Sequence, residues 1–210
     1  MKKNLLVLAF LVGLLTCCKS EDAPIKPVKP TDPGSINKEY MSRAETTFAN
    51  IFKYYWSDKV RMMFGSYPNT LGTPQEPSSP DYDSHAFLWG LGSVVSAFNA
   101  IVQNTDNVDF RMTYESRLKE TLLKYYNTTK EPMCFGCFVN PHDQRLYDDA
   151  IWVGIDLADL YSKTKDSWYL DYAKSVWNFV LSGKDDELGG GVYWDENAKD
   201  SKNTCSNAPL

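Results

Sequence analysis

The chain is short of positive charge, of histidine and of membrane-length apolar runs, and each shortage closes off a class of function. Lys and Arg number 22 against 27 Asp and Glu, for a formal net charge of −5. Without a basic patch there is nothing to neutralise phosphates, so nucleic acid is excluded as a partner. Only two histidines occur, His85 and His142, and the Cys134–Cys137 pair has no second Cys-x-x-Cys to complete a zinc site. The sequence therefore implies no metal and no cofactor. His85, beside Asp83 and Ser84, reads as a capping or structural residue. The apolar run at residues 5–15 is too short to span a bilayer.

That run follows Lys2 and Lys3 and ends at Thr16, Cys17 and Cys18, the layout of a secretory leader. Its Leu-Leu-Thr-Cys-Cys ending is similar to the lipobox of bacterial lipoproteins. Residues 1–17 are expected to be the signal peptide and Cys18, three places after Leu15, the lipidated residue, with Cys17 as the alternative. Several acyl chains on one cysteine anchor a protein firmly. Residues 18–35 carry Pro24, Pro27, Pro30 and Pro33 and too little apolar surface to fold. They read as a tether reaching on the order of 50 Å. Ser20, Glu21 and Asp22 resemble the export tag of some Gram-negative surface lipoproteins, so the expected location is the outer membrane, facing outward. Three cysteines remain beyond the leader, an odd number that argues against a disulfide framework. Cys134 and Cys137 read as a short disulfide or as two incidental thiols.

What the sequence does have is aromatic residues, 14% with 6 Trp and 13 Tyr, and helical periodicity from residue 36 onward. Tyr40, Ala44, Phe48, Ile51 and Tyr55 mark one helix; Phe87, Leu91, Val94, Val95, Phe98 and Ile101 mark a second that begins after Ser84. Asp109 is expected to cap a third, faced by Phe110, Tyr114, Leu118, Leu122 and Tyr125. Residues 147–161 form a fourth. Tyr169, Tyr172, Ala173, Val176, Trp177, Phe179 and Val180 mark a fifth, stopped by Gly183. Ser206–Pro209 reads as the start of one more. Long loops at 64–80, 134–145 and 184–198 alternate with short links at 104–109 and 162–167. The glycine run 189–191 suggests a small hairpin. This alternation implies helical hairpins with one functional loop face.

The fourth helix carries the chemistry. At about 100° per residue, Asp148, Asp149, Trp152, Asp156 and Asp159 fall on one narrow arc, and the rest of the circumference is apolar or small. The pattern predicts a helix packed on most sides, with its four carboxylates and a tryptophan looking out through a slot. Paired carboxylates in a partly dry cleft are the equipment of acid/base chemistry on sugars. The same residues also read as an N-cap with a dipole partner, followed by the wetted edge of a core helix.

Tyr147–Trp152, the Gly-Gly-Gly-Val-Tyr-Trp run at 189–194 and Asn203–Pro209 together resemble glycoside hydrolase family 76, which includes endo-α-1,6-mannanases. The resemblance runs from about residue 36 to the C-terminus and implies an all-α fold, the (α/α)6 toroid. Here it would be a partial toroid of about five to six helices with long loops and a small hairpin, a truncated domain over residues 36–210. It implies a retaining endo-α-1,6-mannosidase acting on α-mannan or mannooligosaccharides at the cell surface. Asp148 would be the nucleophile and Asp149 the general acid/base, with Trp152, Trp194 and Asn207 binding substrate. The alternative is a glycan-binding lipoprotein without turnover, or an inactive truncated hydrolase. Coverage of only about the first half of the toroid predicts an apolar inner helix with one side unpaired.

Overall fold

A computed structural model describes residues 33–68, 85–139 and 144–210, with side chains from residue 37. The expected leader, Cys17, Cys18 and nearly all of the tether lie outside the described residues, as do Asp83, Ser84 and His142. Residues Lys38–Leu210 form one compact unit. The last residues of the expected tether are already helical, because helix α1 spans Pro33–Tyr55. Proline is well suited to a first helical turn, where its missing N–H is not needed.

Helices α2 (Leu88–Asn104), α3 (Val108–Tyr125), α4 (Tyr147–Thr164) and α5 (Ser167–Ser182) follow, with a one-turn helix α6 (Thr204–Asn207). The expected all-α architecture is what the chain adopts. Two short antiparallel hairpins accompany the helices: β1 (Trp56–Ser57) with β2 (Met62–Met63), and β3 (Tyr126–Asn127) with β4 (Cys134–Phe135). The hairpin expected at the glycine run reduces to a single bridge between Lys184 and Val192. Gly189, Gly190 and Gly191 all adopt φ near +90°, so the backbone swings wide there and no ladder forms.

The start signals fall differently from the expectation. Asn107, not Asp109, caps α3, its side chain accepting from the Phe110 N–H at 3.0 Å; Asp109 sits inside the first turn. Helix α2 begins at Leu88, preceded by extended Phe87. His85 bridges to Phe64 and stacks on its ring. The short links are as expected, and Asp166 caps α5 by accepting from Trp168.

One core ties the helices together. Phe48, Phe52, Phe98, Phe110 and Tyr114 form a ring cluster joining α1, α2 and α3. Leu91 and Val95 of α2, and Ala150, Val153 and Leu157 of α4, are buried in the same core. Each large apolar side chain buried this way contributes about 1.5–3 kcal/mol. Helix α4 packs along both α2 and α5. Gly154 sets its approach to α5, since a Cβ there would lie 2.7 Å from Val176 Cγ1. Ile155 and Ala158 are exposed beside Trp177 and Leu210, over an apolar groove of about 310 Å³.

Candidate active site

The first turn of α4 is held by the segment that precedes it. Arg145 is completely buried. Its Nε donates to Glu196 at 2.7 Å and its Nη1 to the carbonyls of Pro132 (2.7 Å) and Lys130 (3.1 Å). Its guanidinium lies 4.7 Å over the Phe179 ring. Against the cost of burying it, Arg145 and Lys130 hold the Glu196 carboxyl below the ordinary carboxylate range. Backbone pairing continues the clamp: Glu196 N–H donates to the Arg145 carbonyl (3.2 Å) and Tyr147 N–H to the Trp194 carbonyl (3.0 Å). This register delivers Trp194 to the mouth of α4.

Asp148 and Asp149 occupy that mouth but cap nothing. The N-cap is Leu146, which makes no side-chain capping bond. Both aspartates are more than nine-tenths buried. Asp148 Oδ2 accepts from the Trp194 indole N–H at 3.3 Å. Its Oδ1 has no bond of hydrogen-bonding geometry among the described residues, although the Cys205 thiol faces the same carboxylate. Asp149 is pushed up to about 6, first by burial and then by the charge of Asp148. The Cys137 thiol, hydrogen-bonded to Asp149, pulls it partly back. Burial keeps that thiol protonated, so it acts as a donor. Cys137 is fixed by its own backbone, which donates to Gln144 and accepts from Leu88, each at 2.9 Å.

The acidic stripe is not one slot, as the periodicity suggested. Asp156 is buried and tied to α2, accepting from Ser96 Oγ and from Asn99 Nδ2 (2.9 Å). Burial raises its pKa while those two donors lower it. Asp159 is exposed at the far end. Of the five stripe residues, Asp149 and Trp152 line a cavity of about 330 Å³ between the first turns of α2 and α4. A larger cavity of about 740 Å³, lined by Tyr55, Phe64 and Phe87, contains no carboxylate among its lining residues.

Of the other residues expected at the site, Trp194 reaches it, and the half-exposed Trp152 lines its edge. Asn207 spends its amide on the backbone: Oδ1 accepts from Val192 N–H (2.7 Å), while Nδ2 donates to the carbonyls of Val192 (2.8 Å) and Asn203 (2.9 Å). It holds the glycine-rich loop in place. Its turn, α6, begins two residues before the expected start. Cys134 and Cys137 are both free thiols. Periodicity had no means of placing Cys137 or Cys205 against the aspartates. Among the described residues, no cluster of three or more His, Cys, Asp or Glu is arranged to hold a metal ion.

The fold has counterparts among known proteins. The model of glycosyl hydrolase family 76 matches residues 39–210; no curated protein matches by sequence. A family 76 mannosidase from Bacteroides thetaiotaomicron, Bt3792, superposes with a TM-score of 0.66 at 24% identity, over 81% of this chain and 46% of the other. A family 76 glycoside hydrolase from a bovine Bacteroides thetaiotaomicron strain also gives 0.66, at 29% identity over 81% and 35%. The α-1,6-mannanase GH76A from Salegentibacter sp. HEL1_6 gives 0.58, at 20% identity over 82% and 42%. The helical hairpins are thus those of the (α/α)6 toroid, and the chain spans less than half the length of these structures.

Proposed function

We propose, for a chain that belongs to glycosyl hydrolase family 76, that Asp148 and Asp149 carry out retaining hydrolysis of α-1,6-linked mannan. The observation that carries this reading is the asymmetry of the pair. Asp149 is shifted to about 6 by burial and by its neighbour, which suits a proton donor near neutral pH. Asp148 accepts a hydrogen bond from the Trp194 indole N–H, which orients one of its carboxylate oxygens.

In the proposed first step, a carboxylate oxygen of Asp148 attacks the anomeric carbon. Asp149 gives its proton to the glycosidic oxygen, the C–O bond breaks, and the leaving chain departs as an alcohol. The sugar is left as an ester on Asp148. In the second step Asp149, now ionised, takes a proton from water, whose oxygen attacks the same carbon. Asp148 is released, and the new hemiacetal keeps the original configuration. Trp152 and Trp194 flank the reacting sugar, while Asn207 holds the loop that carries Trp194. Retention requires the two carboxyl groups about 5–5.5 Å apart, which neighbours on one helical turn can reach.

The enzyme reading extends to location. The sequence features at residues 1–35 support an outer-membrane lipoprotein anchored through Cys18, with its substrate outside the cell. Metabolic labelling with a clickable fatty acid tests this; an unlabelled protein rejects the anchor. Activity is tested by incubating the chain with linear α-1,6-mannan and following products by NMR. Release of α-configured mannooligosaccharides that stops in Asp148→Asn is the expected result. A rival reading, glycan binding without turnover, draws on the exposed Trp152 and Trp194. Mannan binding that survives Asp148→Asn, with no product from either protein, favours the rival.

A further inference from the structure

The loop between α5 and α6 runs against its own backbone preferences. Four consecutive residues, 188–191, take positive φ, and the first of them is Leu188 at 52°. A leucine does not choose that region, so contacts made elsewhere must hold it there. Its own side chain is not the reason, being 61% exposed.

The holding group is Lys202. Its side chain is only 4% exposed, and lysine is almost never buried without a partner. Nζ donates to the Asp185 carbonyl at 2.9 Å, to Asp185 Oδ1 at 2.5 Å and to the Glu187 carbonyl at 2.7 Å. Those bonds use every donor of an ammonium group. Nζ also lies 4.5 Å from the centre of the Tyr193 ring, within cation–π reach. Lys202 holds the Asp185 carboxyl below the ordinary carboxylate range, so the pair stays ionised. Two carbonyls and a carboxylate converging on one positive centre resemble the oxygen shell of a bound cation. Here the cation arrives on a side chain.

The grip extends to the aspartates. Ser201, next to Lys202, accepts from the Trp194 backbone N–H at 3.0 Å, and Tyr193 N–H donates to the Gly183 carbonyl at 3.2 Å. Tyr193 and Trp194 are thus bracketed between the clamped loop and the segment that carries Lys202. The Trp194 indole in turn donates to Asp148.

We infer that Lys202 is a positioning residue, a tethered cation that locks the 185–191 loop and so seats Trp194 on Asp148. The step from that seat to turnover rests on the hydrolase reading above; the seat itself does not.

The test uses the full chain with ¹⁵N-labelled tryptophan indoles. Trp194→Phe identifies the Trp194 signal by its loss, and Asp148→Asn shows where that signal moves when the charged acceptor is removed. Lys202→Met keeps an aliphatic stem and discards the cation. Its Trp194 signal is expected to move toward the Asp148→Asn position, and kcat/KM on α-1,6-mannan to fall about ten- to a hundredfold. Lys202→Ala leaves room for propylammonium, which is expected to restore the signal where 1-propanol, of similar size, does not. If circular dichroism shows Lys202→Met unfolded, Asp185→Asn removes one arm of the clamp and is expected to move the same signal by less. A Trp194 signal at the parent position in the Lys202 variants overturns the clamp and leaves the hydrolase reading standing. Equal rescue by the alcohol overturns the tethered cation, since packing alone would then suffice. A displaced signal in the variants, with a parent that never cleaves mannan, overturns the hydrolase reading and supports the clamp.

Discussion

Trp194 and Asp148 are 46 residues apart in the chain, yet the Trp194 indole N–H donates to Asp148 Oδ2 at 3.3 Å. The contact exists because the Leu146–Asp195 bridge and the neighbouring backbone bonds fold the 194–196 segment back onto the entrance of α4. It is the one bond of hydrogen-bonding geometry that the buried Asp148 carboxylate receives among the described residues.

Trp194→Phe keeps an aromatic ring, of smaller volume, and removes the donor. A hydrogen bond to a charged group is worth about 1.5–3 kcal/mol. In the proposed mechanism that bond orients the attacking oxygen, so kcat/KM on α-1,6-mannan is expected to fall on the order of ten- to a hundredfold. Steady-state kinetics on the purified variant checks this. An unaltered kcat/KM removes Trp194 from the catalytic arrangement.

The pKa of Asp149 sets two pH dependences. As a proton donor it must be protonated, so activity is expected to decline as pH rises through about 6. The stability effect has the same sign. Folded Asp149 keeps its proton up to about 6, whereas an unfolded aspartate loses it near pH 4. Its contribution is therefore fully present below about pH 4 and is lost as pH rises through about 6. Asp149→Asn never ionises, so at pH 8 it is expected to exceed the parent in unfolding free energy by about 3 kcal/mol at most. The gain should vanish below about pH 4. Urea denaturation at the two pH values tests it, and an equal difference at both contradicts the shift.

Cys137 gives a sharper test of the same carboxyl, because its thiol donates to Asp149 and opposes the effects of burial and of Asp148. The groups acting on Asp149 are Asp148 from its own helix and Cys137 from the loop after β4; the α2 residues lining the cavity carry no charge. Cys137→Ala is expected to move the Asp149 titration to higher pH, and Cys137→Ser, which keeps a donor, to bring it back. Carboxyl ¹³C NMR on aspartate-labelled protein reads this without any turnover. Coincident curves for all three proteins exclude Cys137 from tuning the acid.

The α-helical plan was legible because core residues recur at helical spacing, and that spacing survives in α2 through α5. Residues 148 and 149 were legible as a pair because they open an otherwise apolar helix. Local signals misled where two residues compete for one role. Asn107 and Asp109 are both good caps, and the structure uses Asn107, which accepts from the N–H of the buried Phe110. The acidic stripe looked continuous because the helical wheel ignores the neighbouring helix, and it is α2 that takes Asp156 through Ser96 and Asn99. The thiols beside the aspartates had no sequence signature, since Cys137 arrives through a loop and Cys205 through α6. Arg145 read as a loop residue, although it is wholly buried.

Arg145 stands three residues before Asp148 and ties together Lys130, Pro132, Glu196 and Phe179. Removing one partner of a buried ion pair costs about 3–5 kcal/mol, because the other charge is left buried. Arg145→Met is expected to lose that much in urea denaturation. Lys130, which also contacts Glu196 at 3.1 Å, is a third exposed, so Lys130→Met should cost about 1 kcal/mol or less. The clamp also fixes the register that carries Trp194, so Arg145→Met should lower kcat/KM under conditions where the protein remains folded. Lys130→Met should leave kcat/KM close to that of the parent. Equal losses of stability in the two variants would mean that Glu196 is held by its surface partner, and that the buried arginine is not what fixes the entrance of α4.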